Sequence, residues 1–396
     1  MPSVVPKIAE VLGPTLSFLT DPELNAMLDD PAVANFALGN PQEMALPELV
    51  SAFREVLEPQ DKNWFAYKMN ETASQRTIAN AISPRLGVRF AAEDIFVTNG
   101  GFAAIASSLR ALAGPGDEVI FISPPWFFYE ALILAAGATP VRVVASAPAF
   151  DLDAGAIAAA VTPRTAAVLM NTPQNPTGRV YPPEQLRELA AVLSEASRRH
   201  GRTVHLLSDE AYYRIVFDGR RFVSPAAFYP ATLVLYSYAK TLLAPGMRVG
   251  YIAMSPEMPD AGRLRQTLTL AQVITGFAFA NADLQYALPR LEQLSIDLDA
   301  LQRRRDPLIP ALREMGYETS LPEGTFYSMV RSPIPDDLDF ASRLRRHGVL
   351  VLPGTVVETP GWFRISLTAN DEMVERGIKG FRRALDEVAA GRLSSA

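Results

Sequence analysis

Ser237-Tyr238-Ala239-Lys240-Thr241-Leu242-Leu243-Ala244-Pro245-Gly246-Met247-Arg248-Val249-Gly250 follows directly on the apolar run LVLY at 233–236. A short run of β-branched, aliphatic and aromatic residues reads as a buried strand. Lys240 therefore stands just past a strand end, which is where α/β folds place their ligands. A lone lysine there is ordinarily a solvated surface residue. What changes that reading is its company, since Arg248 lies eight residues on and three other strand ends carry polar clusters.

Working outward, runs at 95–98, 118–122, 166–171, 204–208 and 249–254 also read as strands. Stretches at 103–112, 128–136, 183–199 and 261–270 carry helical spacing, with Pro182-Pro183 and Gly201 as start and stop signals. Such alternation predicts crossover helices covering a mostly parallel sheet. After about residue 294 the pattern changes to helices at 298–315, 338–347 and 372–388, with short strands near 327–331 and 363–367. That tail and the first 30 or so residues are candidates for a second, smaller α+β unit.

Three strand ends carry the polar clusters. Asp209-Glu210-Ala211-Tyr212 closes VHLLS, so a carboxylate and a phenol emerge together. Asn171-Thr172-Pro173-Gln174-Asn175-Pro176-Thr177-Gly178 follows AAVLM as a turn stiffened by prolines. Thr98-Asn99-Gly100-Gly101-Phe102 leads a strand into a helix, and exposed N–H groups at such a helix start cradle anions.

Composition narrows the chemistry. The 396 residues hold 37 Lys plus Arg against 43 Asp plus Glu, a net charge of −6 that offers no basic field for nucleic acid or anionic lipid. There is no cysteine, which removes disulfides, thiolate metal sites and a thiol nucleophile, and we expect a cytoplasmic protein. The three histidines, 200, 205 and 347, fall at helix ends and in a strand, and we expect no metal site. No signal peptide or bilayer span is legible in the sequence. G-x-G-x-x-G after a strand, the P-loop, H-E-x-x-H and G-x-S-x-G are all absent.

In chain order, N-x-P-x-N-P-T-G at 171–178, D-x-A-Y at 209–212 and S-x-x-K with G-x-R-x-G at 237–250 resemble the class I/II aminotransferases, fold-type-I enzymes of pyridoxal 5'-phosphate. The resemblance implies an α/β large domain over 36–293, with a mostly parallel seven-stranded sheet between helices. It implies a small α+β domain from 1–35 and 294–396. Lys240 then matches the lysine that carries the cofactor covalently and serves as general base. Asp209 matches the carboxylate facing the pyridine nitrogen, and Asn175 and Tyr212 match the donors to the ring hydroxyl. Trp126 in SPPWFFYE is either the aromatic stacked on the ring or a core tryptophan.

For the phosphate, the resemblance implies Gly100, Gly101, Phe102, Ser237 and Arg248, with Tyr67 supplied by the neighbouring subunit of a homodimer with shared sites. Arg364 and Gly39, with Asn175, would hold the substrate α-carboxylate. The Asn175-Pro176 bond is expected cis. The implied reaction moves the α-amino group of an L-amino acid to a 2-oxo acid by a ping-pong mechanism. The alternatives are another fold-type-I reaction (lyase, decarboxylase, cyclase or oxidase) and, more remotely, a non-catalytic cofactor-binding regulator. The chain departs from the pattern at Phe102, where a polar residue is common, at Ala239, where serine is frequent, and at 352–357. The stretch 266–289 holds no second arginine for a dicarboxylate. Phe18, Trp126, Phe127, Phe128, Tyr129 and Tyr238 are candidates for an apolar substrate pocket, and Asp21 or Glu43 for meeting a basic side chain.

Overall fold

The fold is that of a computed structural model describing residues 4–394. Its strands are β1 (Ala34–Asn35), β2 (Ile95–Thr98), β3 (Glu118–Ser123), β4 (Thr139–Val144), β5 (Thr165–Asn171), β6 (His205–Asp209), β7 (Thr232–Ser237), β8 (Gly250–Met254), β9 (Tyr327–Arg331), β10 (Val349–Leu350), β11 (Leu352–Pro353) and β12 (Trp362–Ser366). Seven of them form one sheet in the order β2-β8-β7-β6-β5-β3-β4. Only β8 runs against its neighbours, pairing antiparallel with both β2 and β7, so the sheet is mixed but mostly parallel, as expected. Every residue of β2, β3, β5, β7 and β8 is buried, the mark of a sheet covered on both faces. Covering helices include Gly100–Leu112 and Pro183–His200.

Two features of the sheet fix the site. Parallel strands share one carboxyl edge, so the residues after β2, β3, β5, β6 and β7 all emerge on the same side. Because β8 is reversed, its beginning lies at that edge too: Gly250 is opposite both Thr98 and Ser237. Strand β4, missed in the sequence reading, is the exposed edge. Its TPVRVV holds Pro140 and Arg142 and only one buried residue, so it lacks the apolar run that marked the others.

A second apolar cluster gathers residues from Ile296 to Val388 together with Ala34, Phe36 and side chains of 211–217. It packs around the antiparallel sheet β11-β12-β9. Helices Leu298–Met315 and Asp337–Arg346 are capped by Asp297 and Asp336, and a third helix spans Asp371–Ser394. The Asp297 and Asp336 carboxylates accept from the backbone N–H groups two or three residues on, which satisfies otherwise unpaired helix-start donors. Strand β1 joins this cluster by pairing with β10, and a single bridge from Val216 to Gly324 ties the stretch after β6 to it. Among the described residues, no helix is long and apolar enough to cross a membrane.

Candidate active site

One cavity opens at the carboxyl edge of the large sheet. It is lined by Gly101, Phe102, Ile105, Trp126, Asn171, Asn175, Asp209, Ala211, Tyr212, Ser237, Ala239, Lys240 and Arg248. Nine of the residues singled out in the sequence meet there although they come from five separated stretches of chain.

Asp209 ends β6 and is buried. Burial pushes its carboxyl up to about 6, against the opposing pull of the Tyr129 hydroxyl, the Ala211 N–H and the nearby Lys240 ammonium. Its Oδ2 accepts from the Tyr129 hydroxyl at 2.6 Å and its Oδ1 from the Ala211 N–H at 3.2 Å. The Lys240 ammonium lies 5.8 Å from the centre of the Tyr212 ring. Burial also raises the Tyr212 phenol, assisted by the neighbouring Tyr327 and Asp209, so it remains a protonated donor at neutral pH.

The 171–178 turn is held from within. Asn171 donates from Nδ2 to the Asp209 carbonyl at 2.8 Å and accepts at Oδ1 from the Asn175 N–H at 2.7 Å. The Asn175-Pro176 bond is cis, as expected. Gly178 has φ +75°, and a Cβ there would sit 2.5 Å from Pro322 Cβ, so the turn closes against the second unit only without a side chain.

The anion cradle lies across the cavity. Gly100 and Gly101 open the helix Gly100–Leu112 directly under Arg248 and Ser237. A Cβ on Gly100 would stand 3.0 Å from Arg248 Nη2, and one on Gly101 would stand 3.2 Å from Ser237 Cβ. Bare backbone N–H groups, a hydroxyl and a guanidinium therefore converge with no side chain between them, a donor set suited to a doubly charged phosphate.

Arg364, on β12, is buried beside this cavity. Its Nη1 donates to Asn175 Oδ1 at 3.0 Å and its Nη2 to the Ala37 carbonyl at 3.1 Å, and its guanidinium lies 3.9 Å above the Tyr327 ring. Its Nε is buried with no hydrogen-bond partner among the described residues. Burial lowers its proton affinity. Gly39 packs against this assembly, since a Cβ there would fall 2.0 Å from the Tyr327 hydroxyl.

Several candidates lie elsewhere. Tyr67 is 95% exposed and lines no part of this chain's own cavity. Phe18 lines a separate cavity beside Arg345, where Asp21 forms an ion pair. Glu43 is paired with Arg304, and Tyr238 turns away to donate to Glu292. Tyr129, proposed as a pocket wall, is instead buried against Asp209. Tyr327 was missed: the sequence shows one tyrosine at the start of a short strand, and only β9-β12 pairing, with Arg364 opposite Met329, brings it under the guanidinium.

The family description "Aminotransferase class I and II" matches residues 31–381. An aspartate/prephenate aminotransferase of Thermus thermophilus is 32% identical, over 86% of this chain and 88% of its own. A probable aspartate/prephenate aminotransferase of Thermus aquaticus is 33% identical, over 78% and 81%. Among solved structures, an aminotransferase from Eubacterium rectale superposes with a TM-score of 0.86 at 28% identity, covering 98% of this chain and 96% of that one. An aspartate aminotransferase from Thermotoga maritima gives 0.83 at 26% identity, covering 93% and 96%. The sheet order, the motif spacing and these likenesses agree: the chain belongs to the class I and II aminotransferase family and is a transaminase.

Proposed function

We propose that the protein is a pyridoxal 5'-phosphate enzyme that moves the α-amino group of an L-amino acid to a 2-oxo acid in two alternating half-reactions. The convergence of one lysine, one buried carboxylate and a side-chain-free anion cradle in a single cavity carries this reading. The donor set fits the cofactor: Gly100, Gly101, Phe102, Ser237 and Arg248 would hold its phosphate, Trp126 would cover the ring, Asn175 and Tyr212 would donate to the ring hydroxyl, and Asp209 would face the ring nitrogen. When bound, the cofactor supplies an aldehyde for the amine and a ring that accepts the electron pair left at the substrate Cα.

The chain's own residues do the rest. Lys240 Nζ anchors the cofactor and is the base for the substrate Cα proton. Arg364 draws in the α-carboxylate, its stacked and hydrogen-bonded guanidinium fixed in advance, so little freedom is lost on binding. Gly39 offers backbone to the same carboxylate. Asp209, in its dry setting, keeps a proton at the ring nitrogen.

We further propose a homodimer in which Tyr67 reaches the partner's phosphate site. Met44, Phe65, Tyr67, Leu270 and Ile274 are exposed apolar or aromatic side chains, and the Tyr67 and Phe279 rings lie 6.1 Å apart. We also propose a large unit over 36–293 and a small one from 1–35 and 294–396; the second cluster, centred on 296–388, favours the C-terminal bound, while Phe18, Leu24 and Val33 pack with the large sheet. A cytoplasmic location is the reading we attach to the cysteine-free composition.

The decisive experiment is borohydride reduction of the protein incubated with pyridoxal phosphate, followed by peptide mass mapping. The label is expected on the peptide holding Lys240, with no label and no amino exchange in Lys240→Ala. Label on another lysine, or an active Lys240→Ala enzyme, overturns the proposal.

A further inference from the structure

Tyr129 opens the helix Tyr129–Ala135 and is 1% exposed. A phenol buried this deeply must find a partner, because an unpaired hydroxyl in an apolar setting is costly. Its partner is Asp209 Oδ2, at 2.6 Å. Burial and the adjacent carboxylate both raise the phenol's proton affinity, so it stays a neutral donor and does not surrender its proton to Asp209. The same residue braces the indole: its N–H donates to the Trp126 carbonyl at 2.9 Å, and the two rings meet edge to face at 5.6 Å. One side chain thus touches both groups that would sit on either aspect of the cofactor ring, without itself lining the cavity.

The bond does two things for the carboxylate. It fixes the rotation of the Asp209 side chain, because Oδ2 is tied to Tyr129 while Oδ1 is tied to the Ala211 N–H. It also favours the ionised form, which burial opposes. A phenylalanine would fill the same space and supply neither.

We propose that Tyr129 is a positioning residue of the transaminase, acting through Asp209 to set how firmly the enzyme holds the cofactor's ring nitrogen. The proposal rests on the reading of this cavity as a pyridoxal phosphate site.

The test compares full-length wild type and Tyr129→Phe for affinity toward two compounds, pyridoxal phosphate and its analogue with the ring nitrogen replaced by C–H. Each is followed by quenching of tryptophan fluorescence. Loss of a hydrogen bond to a charged group predicts about a tenfold rise in the Kd of pyridoxal phosphate, with the analogue changed less than twofold. In turnover, kcat falls while KM for the amino donor stays within about twofold, because Arg364 is untouched. An equal rise for both compounds assigns Tyr129 a merely structural role, and no rise for either removes the proposal. Failure of the wild type to bind pyridoxal phosphate at all refutes the cofactor reading itself, a distinct result.

Discussion

Gly39→Ala is a one-carbon change that should weaken substrate capture far more than cofactor binding. The added Cβ would lie 2.0 Å from the Tyr327 hydroxyl oxygen and 2.9 Å from Phe326 Cε2, both closer than nonbonded atoms tolerate. Phe326 is fully buried and has no room to yield, so the Tyr327 phenol must withdraw by about 1.4 Å or more to reach an ordinary separation. Its ring is the platform on which Arg364 rests at 3.9 Å. Moving that platform costs part of a desolvated cation–π contact, about 1 to 2 kcal/mol, and shifts Arg364, the proposed carboxylate clamp. A misplacement of about 1 Å at a positioning group is worth on the order of a hundredfold in rate.

We therefore expect kcat/KM for the amino donor to fall about 100-fold in Gly39→Ala. Pyridoxal phosphate affinity should fall by less than about tenfold, because, of the proposed cofactor residues, Tyr212 neighbours Tyr327, whereas Asp209, Lys240 and Arg248 have no hydrogen bond to it. Steady-state kinetics with a saturating acceptor, alongside cofactor titration, reads both. Removing the colliding oxygen in Gly39→Ala/Tyr327→Phe should recover about tenfold over the single variant, a non-additive result. A kcat/KM within threefold of wild type, or losses of the two substitutions that simply add, would refute the argument.

Other consequences follow from the buried charges. Asp209 holds its proton up to about 6 in the folded protein against an ordinary 3.8, so the folded state binds protons more tightly and loses stability as pH rises through that window. In cofactor-free protein, Asp209→Asn should therefore gain stability over wild type by about 1 to 2 kcal/mol more at pH 8 than at pH 5, measured by urea unfolding. A pH-independent difference would contradict this. Arg85 and the fully buried Glu210 are paired at 2.5 Å, with Ser208 and Ser224 also donating to Glu210. Arg85→Met strands that carboxylate and should cost about 3 to 5 kcal/mol, most of it regained in Arg85→Met/Glu210→Gln. Equal stabilities of the single and double variants would show that the ion pair is not what holds this region.

The central strands were legible because burial on both faces forces short continuous apolar runs, and the site motifs because each sits at the end of such a run. Boundaries moved by only a residue or two, as where β6 extends to include Asp209. The helix Thr72–Leu86 went unread: Ser74, Gln75, Arg76 and Thr77 give it weak amphipathic contrast, and Ser74 and Gln75 instead make specific bonds to the Gln285 and Ile95 carbonyls. The roles of Tyr129 and Tyr327 were illegible for another reason. Each depends on a partner far along the chain, Asp209 for one and Arg364 for the other, and nothing local distinguishes such a tyrosine from core filling.

The reversed strand β8 has a temporal consequence. Strand β2 is joined to the sheet only through β8, so the glycines at 100 and 101 meet Ser237 and Arg248 only once residues 250–254 have been inserted between β2 and β7. On a growing polypeptide, more than half the molecule must leave the ribosome before the proposed phosphate cradle can form. On the proposed reading, loading of the cofactor would be a late event of biogenesis, unable to template the early steps of assembly.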